Sequence, residues 1–459
     1  MGGLRALSVA TIAVALVTGG VVVAPVTAPM VSAAVTAPQP QVSGNQIVDA
    51  RTGRTWIPYA VNWPSLEYAC QQGWGYTQGG ATTAAAAAMA SWGINAVRLP
   101  LNEQCWLGTE GNPHYGTASG YRAAVRAFVD ILNAHGLVVI LDLHWTAPAG
   151  KQADGQRAMA GSGSVLFWQS VAAAYATLPS VMFDAFNEPY SRGAFTLTWS
   201  CWKSGGCQAP VENDQSSGVG GTTFTVAGMS TIVTTIRQAG ANQPILLAGL
   251  DYANDLRGWL ANRPADAQLI ASWHNYPGQR CQQQSCWDSE IAPVAAQVPV
   301  MITEFGIVRS GGGGAPIDTL TPAMTWADTH GIGYSPWAWW VVDESESPSA
   351  ALYALITDTT TFTPKQPEGA AYFAHLKTLS KPAPPAPPSR TGSGPSSGPR
   401  TGTSGTRRPR TPGGLNGGTR APRPATLSPD EAPVSLPEAH PGVQLKVGLW
   451  VEHVLKRMN

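Results

Sequence analysis

The chain has 459 residues, a formal net charge of zero and only 12% charged residues. This balance argues against nucleic acid as a partner of the folded part, because such a partner is usually met by a basic surface. The 17 tryptophans are a high count. Any that lie in loops would suit stacking on a flat ligand, although packing is the commoner role for a single tryptophan.

Residues 1–37 are predicted to form an export signal. Arg5 precedes an uncharged apolar run from Ala6 to Val23, and the small residues of "MVSAAVTA" follow, which fits cleavage after one of its alanines. The alternative is an uncleaved N-terminal membrane anchor, because the run approaches the length of a membrane span. We therefore expect a secreted, extracellular protein.

Residues 40–380 are predicted to alternate between short apolar strands and helices. The apolar runs are "TWIPYAVNW", "INAVRLPL", "LVVILDLHW", "VMFDAFNEP", "PILLAGLDY", "LIASWHNY", "VPVMITEFG" and "GIGYSPWAWW". Several intervening helices, including "NDLRGWLANR" after the fifth run, are expected, and glycines such as Gly93 and Gly331 are placed to end them. Eight such units indicate an α/β chain forming a single (β/α)8 TIM barrel.

A doubly wound open sheet is the alternative fold. It would more often carry a glycine-rich phosphate turn after its first strand, and the first strand here ends in "VNWPS". "SGGGGAP" follows the seventh strand but lacks the Lys-Ser/Thr of a phosphate loop. We interpret it as a flexible loop.

Six cysteines fit the oxidising destination that export implies. Six cysteines allow 15 pairings, but short separations favour Cys201–Cys207 and Cys281–Cys286, which leaves Cys70 with Cys105. Free or metal-bound thiols are the alternative. No C-x-x-C spacing is present, so a zinc site is not expected.

Reactive residue types gather where the predicted strands end. In such barrels the chemistry lies at the carboxyl ends of the strands. The residues found there are Arg98, Asp142, His144, Asn187, Glu188, His274, Asn275, Tyr276, Glu304, Trp337 and Trp339. Glu188 and Glu304 each follow an apolar run, and Pro189 holds Glu188 in extended backbone.

Two carboxylates that face each other across a cleft suit cleavage of a glycosidic bond. One protonates the leaving oxygen, and the other attacks the anomeric carbon or activates water. A separation of about 5–5.5 Å gives retention and about 6.5–9.5 Å gives inversion, and the sequence leaves that distance open. An adjacent Arg98 would favour ionisation of one carboxylate.

These motifs resemble glycoside hydrolase family 5, the cellulase-type family of retaining (β/α)8 barrels. The matching pieces are "NAVRLPL", "LDLHW", "DAFNEP", "SWHNYPG", "MITEFG" and the Trp-rich last strand, in the family's order over nearly all of 45–378. The resemblance implies Glu188 as acid/base and Glu304 as nucleophile. It further implies sugar binding by Asn187, support from Arg98 and Tyr276, a site lined by His144 and His274, and a sugar platform at Trp337, with Trp339 as the alternative.

The expected activity is hydrolysis of a β-linked oligo- or polysaccharide, most simply as an endo-β-1,4-glucanase, without a metal or cofactor and by a monomer. β-Mannanase and exo-acting β-glucosidase or β-1,3-glucanase are alternatives within the family, and transfer to sugars instead of water is another. From other classes come an inactive carbohydrate-binding barrel and a metal-dependent hydrolase using Asp142, His144 and His274. Both glutamates are present, which disfavours the first, and no H-x-H ends the first strand, which disfavours the second.

The composition changes near residue 381. Proline, glycine, serine, threonine and arginine dominate residues 381–440, and such a segment buries too little apolar surface to fold. We predict a disordered linker there. Residues 441–459 form a short tail with no assigned role, too short for a second domain.

Overall fold

The computed structural model describes residues 36–109, 115–214, 216, 218, 220–309, 316–345 and 348–379. The export segment up to residue 35, the linker and the tail predicted from the sequence lie outside the described residues. Among the described residues, no helix combines the length and apolar character needed to cross a membrane.

Eight parallel strands form a barrel, as the sequence predicts. They are β1 (Ala60–Asn62), β2 (Ala96–Asn102), β3 (Val138–Trp145), β4 (Val181–Asp184), β5 (Ile245–Ala248), β6 (Leu269–Asn275), β7 (Val300–Phe305) and β8 (Gly333–Tyr334). Each strand pairs with the next along the chain. A parallel bridge between Tyr59 and Tyr334 brings β8 back to β1, and the Tyr334 N–H donates to Pro58 O at 2.9 Å. The barrel is therefore closed between its first and last strands.

Eight helical segments surround the strands. They are α1 (Thr83–Trp92), α2 (Ala118–Ala134), α3 (Ser162–Tyr175), α4 (Met229–Gln238), α5 (Trp259–Asn262), α6 (Gln284–Cys286 continuing through the π-helical turn Trp287–Ile291 into Ala292–Ala295), α7 (Leu320–His330) and α8 (Glu368–Leu379). Thr82 caps α1 by accepting the Ala85 N–H, and Gly93 ends it at φ 101°, a left-handed conformation that favours glycine. Short helices at Ala69–Gln72, Glu103–Leu107, Pro148–Gly150, Trp199–Ser204 and Pro348–Leu352, and a left-handed turn at Leu250–Ala253, lie in the loops.

The helix predicted at "NDLRGWLANR" is wrong over its first half. Only Trp259–Asn262 is helical there. The Asn254 side chain instead donates to His274 O and accepts the Cys281 N–H, each at 2.8 Å, and Asp255 bonds the Arg257 N–H at 2.9 Å. These side chains compete with a helix for backbone partners.

Apolar side chains fill the amino-terminal end of the barrel. A three-stranded antiparallel sheet of Pro40–Ser43, Gln46–Asp49 and Arg54–Thr55 precedes β1. Its Ile47 packs on a buried cluster that includes Ala60, Ile140 and Met301. With this end filled by side chains, the polar residues of the barrel lie towards the opposite end, where the strands terminate.

Hairpins and disulfides stabilise the long loops at that opposite end. Two-stranded hairpins form from Gln208–Pro210 with Thr223–Thr225 and from Ile307–Arg309 with Pro316–Asp318. Residues 310–315, within the predicted glycine-rich loop, lie outside the described residues. The cysteines pair as the sequence favours, as Cys70–Cys105, Cys201–Cys207 and Cys281–Cys286.

Candidate active site

Arg98 of β2 is the centre of the polar cluster at the strand ends. Its side chain is fully buried, so each N–H that lacks a partner would be costly. Four hydrogen bonds and one further ion-pair contact engage the guanidinium: Nε donates to Asp184 at 2.9 Å, Nη1 to Asn62 at 2.9 Å and Glu304 at 2.7 Å, and Nη2 to Asn187 at 2.6 Å, while Nη2 also lies 3.1 Å from Asp142 Oδ2. The guanidinium thereby ties β1, β3, β4 and β7 to β2.

Glu304 of β7 has both carboxylate oxygens engaged. Arg98 holds Oε1, and the Tyr276 hydroxyl donates to Oε2 at 3.2 Å. Only 7% of the Glu304 side chain is exposed. A positive charge thus lies against one edge of the carboxylate, while Oε2 lies on the side of His274, 3.7 Å from its Nδ1.

Glu188 follows β4 and lies in a different environment. Its Oε1 is 2.7 Å from His274 Nδ1, and Gln156 Nε2 donates to its Oε2 at 3.3 Å. Burial raises the pKa of Glu188 to about 7, against the opposing effect of the hydrogen bond from Gln156. The protonated acid is therefore well populated near neutral pH.

The two glutamates converge on His274. Its Nδ1 lies 3.7 Å from Glu304 Oε2, and one carboxylate oxygen of each glutamate lies within 4.8 Å of the other and of a ring nitrogen. Nearest oxygens within 4.8 Å are compatible with the separation of about 5–5.5 Å between the carboxyl groups of retaining barrels.

Two neutral histidines line the site. Burial lowers the pKa of His144 to about 4 and that of His274 to about 3. Asp142 Oδ2 is 2.7 Å from His144 Nδ1, so Asp142 supports the ring orientation. Burial raises the pKa of Asp142.

The structure separates the two candidate tryptophans. The Trp337 ring is stacked 5.6 Å from His144 at an interplanar angle of 18° and clusters with Tyr276. Trp339 instead packs between the Trp92 and Phe362 rings, at centroid distances of 4.7 and 6.0 Å. Trp339 is therefore a packing residue, and Trp337 faces the site.

Five further tryptophans, near or beyond the carboxyl ends of the strands, are chiefly packed against other side chains. Trp202 and Trp287 are buried and donate to the Ala248 and Cys281 carbonyls, each at 2.9 Å. Trp63 packs on Phe128 with ring centroids 4.6 Å apart and the ring planes tilted by 57°. Trp145 is buried beside Tyr68, and Trp199 packs on Trp202 at 5.2 Å.

Sequence reasoning missed four polar residues of the site. Asn62 and Asp184 bond Arg98, Gln156 bonds both Asn187 and Glu188, and Glu67 is fully buried with its Oε2 accepting the Ser65 N–H at 2.7 Å. Burial raises the pKa of Glu67 to about 8. The single acid within the apolar run "VMFDAF" could have indicated that Asp184 belongs to the site. The sequence around the loop residues Glu67 and Gln156 gives no such indication.

The trio left open for a metal, Asp142, His144 and His274, does not form a converging ligand set. Among the described residues, two groups bring three ligand atoms together. One is Glu188, His274 and Glu304, and the other is the disulfide of Cys281 and Cys286 with Glu290.

A protein-family model described as "Cellulase (glycosyl hydrolase family 5)" matches residues 52–343, more than half of the chain. No curated protein sequence matches significantly.

Three solved structures illustrate the structural likeness. A β-glucanase of Saccharophagus degradans has a TM-score of 0.56 at 21% identity and covers 75% of this chain and 95% of its own. The catalytic domain of a Thermobifida fusca endoglucanase has 0.52 at 16%, covering 74% and 97%. The catalytic domain of a mannanase from Streptomyces sp. SirexAA-E has 0.50 at 17%, covering 76% and 93%. At these identities the likeness shows the fold.

Proposed function

Since the chain belongs to glycosyl hydrolase family 5, we propose that it is a retaining glycoside hydrolase in which Glu188 is the acid/base and Glu304 the nucleophile. The observation that carries this proposal is that one carboxylate oxygen of Glu188 lies within 4.8 Å of one of Glu304, while the two carboxyl groups lie in different environments. That proximity supports direct attack by Glu304 on the sugar rather than attack by an intervening water.

In the first step, the Glu304 oxygen on the cleft side attacks the anomeric carbon. The C–O bond to the leaving group breaks, and Glu188 donates its proton to the departing oxygen. Arg98 at Oε1 and the Tyr276 hydroxyl at Oε2 fix the nucleophile. The raised pKa of Glu188 keeps the acid protonated for this step.

In the second step, water replaces the leaving group. The covalent bond has removed the negative charge of Glu304, so Glu188, now ionised, accepts a proton from the water that attacks the anomeric carbon. Glu304 leaves as a carboxylate and the configuration is retained. Asn187 would hold the 2-hydroxyl of the sugar, and Trp337 would form its platform beside His144.

We infer a β-linked glucan as the substrate, cleaved internally at β-1,4 bonds by an exported enzyme. Structures of the β-glucanase and endoglucanase relatives are described in complex with cellotetraose, which supports this choice. The mannanase relative keeps β-mannan as the second candidate. Transfer to sugar acceptors would use the same covalent intermediate.

A substrate panel with a matched blank tests this function. Purified protein is assayed on soluble β-1,4-glucan, mixed-linkage glucan, β-mannan and aryl β-glycosides, with Glu304→Gln as the blank. We expect β-glucan cleavage that Glu304→Gln lacks, with the β-anomer formed first by proton NMR. Initial release of the α-anomer would overturn the retaining mechanism, and activity on mannan alone would replace the substrate.

A further inference from the structure

Gln156 lies in the loop between β3 and α3 and contacts both polar residues that follow β4. Its Nε2 donates to the Glu188 backbone O at 3.0 Å and to Glu188 Oε2 at 3.3 Å. Its Oε1 accepts from Asn187 Nδ2 at 2.5 Å. Gln156 is 4% exposed, so its amide is enclosed rather than a surface contact.

The backbone of Gln156 is itself fixed by the loop after β4. Its N–H donates to Asp214 Oδ1 at 3.2 Å, and its O accepts the Asp214 N–H at 2.9 Å. The Tyr190 hydroxyl donates to the same O at 3.0 Å. Three hydrogen bonds thus fix the backbone of Gln156, independently of the bonds that its side chain makes in the site.

We propose that Gln156 is a positioning residue that aims the Glu188 carboxyl and sets the orientation of the Asn187 amide. This role rests on the proposed function of Glu188. The geometry assigns each atom a task. Arg98 donates to Asn187 Oδ1, Gln156 Oε1 accepts from Asn187 Nδ2, and His144 Nε2 lies 3.5 Å from the same Nδ2, so the Asn187 amide is held in one orientation. Gln156 Nε2 bonds both the backbone O and the Oε2 of Glu188, so it restrains the backbone and the carboxyl group together.

The bond to Oε2 also affects the ionisation of Glu188. A donor stabilises the carboxylate more than the neutral acid, so it opposes the effect of burial. The titratable groups facing or close to Glu188 are His144, His274, Arg98, Asp142, Asp214 and Glu304. Gln156 differs from all of them because its amide carries no charge at any working pH.

The first test needs no substrate. Full-length protein labelled with ¹³C at glutamate carboxyls is titrated by NMR, and Glu188→Gln identifies the Glu188 signal by its loss. Gln156→Met keeps an unbranched side chain without the donor, and we expect it to raise the Glu188 pKa by roughly half a unit or more. Gln156→Glu, which places a second carboxyl there, should raise it further.

Gln243→Met is the matched control. Gln243 is a buried glutamine whose Nε2 donates to the Tyr175, Ala176 and Leu178 carbonyls, and it contacts no residue of the site cluster. Its loss should lower the melting temperature and leave the Glu188 titration in place. An unchanged Glu188 pKa in both folded Gln156 variants would overturn the role of Gln156.

The second test separates aim from general damage. kcat/KM is measured on phenyl and 2,4-dinitrophenyl β-cellobioside, because only the poorer leaving group depends strongly on the acid. Gln156→Met should lose roughly tenfold more on the phenyl glycoside, whereas equal losses would contradict acid positioning. If wild-type protein cleaves neither compound, the β-glucan proposal fails, and the NMR titration still decides the role of Gln156.

Discussion

His274 Nδ1 lies 2.7 Å from Glu188 Oε1, and the imidazole is fully buried. Burial lowers the pKa of His274 to about 3 and raises that of Glu188 to about 7. Near neutral pH the His274 ring is therefore uncharged, and the Glu188 carboxyl group facing it is close to its own pKa. His274 orients the acid without adding a charge to it.

The activity should fall as pH rises through about 7. Glu188 must carry a proton when the leaving group departs, and its raised pKa places that proton loss near 7. A kcat/KM profile from pH 4 to 9 on an aryl glycoside measures this limb. Glu188→Gln, which cannot titrate, should lack it. A wild-type profile flat from pH 6 to 9 would contradict the assignment.

Glu188→Gln should make the rate depend strongly on the leaving group. Without a proton donor, a phenyl glycoside should lose about 10²–10⁴-fold in kcat/KM. A 2,4-dinitrophenyl glycoside, which departs readily as an anion, should lose far less in the first step. Glu304→Gln should depress both alike, because attack itself is lost. The reverse pattern would exchange the two roles.

Trp337 and Trp339 should affect different measurements. Trp337→Ala removes a ring beside His144 and should reduce kcat/KM by about tenfold or more, in line with a stacking contact. Trp339→Ala removes a ring packed on Trp92 and should cost about 3–5 kcal/mol of unfolding free energy. Denaturant titration and steady-state kinetics on both variants distinguish them, and matching kinetic losses at equal stability would contradict the placement.

Removing the Cys70–Cys105 disulfide should destabilise the protein more than removing Cys281–Cys286. The separations are 35 and 5 residues, and loop-closure entropy then gives about 4 against about 2 kcal/mol. Paired Cys→Ala variants are compared by denaturant unfolding. A larger loss for the shorter loop would show that chain entropy does not govern these crosslinks.

Glu67 should make the protein less stable at higher pH. Burial raises its pKa in the folded protein to about 8, above the 4.5 of a free glutamate side chain, so folding favours the protonated form. The loss of folding stability caused by ionising Glu67 is absent below a pH of about 4.5, grows as the pH rises towards 8 and is constant above that. Glu67→Gln, which mimics the protonated group, should lose less melting temperature between pH 5 and 8 than wild type. Parallel curves would refute this.

The strands and their terminal acids were readable from the sequence for a physical reason. Strands of a parallel barrel are buried on both faces, so they read as apolar runs, and polar residues become prominent where such runs stop. Glu188, Glu304 and His274 all stand at such stops. Asp142 lies three residues before the end of β3 and Asp184 is the last residue of β4, and the ion pairs of both with Arg98 make their burial tolerable.

The loops were not readable in this way. Gln156 lies in "GKQADGQRAMAG", which has no periodicity, and its place depends on Asp214 and Tyr190, which are distant in sequence. Asp251, Tyr252 and Ala253 have φ of 55°, 56° and 61°. Such values are uncommon for non-glycine residues, so the sequence did not indicate this left-handed turn. The helix after it was therefore wrongly predicted to begin at Asn254.

The contacts of the β1 region with β8 and α8 have a consequence for folding during synthesis. β1 receives its second neighbour only when Tyr334 has been made, and the Tyr372 hydroxyl later donates to Ala60 O at 2.6 Å. A nascent chain that has emerged only as far as Glu188 holds an acid whose counterpart is still untranslated. Ribosome-bound intermediates of that length should bind no oligosaccharide, however much of their helical content has formed.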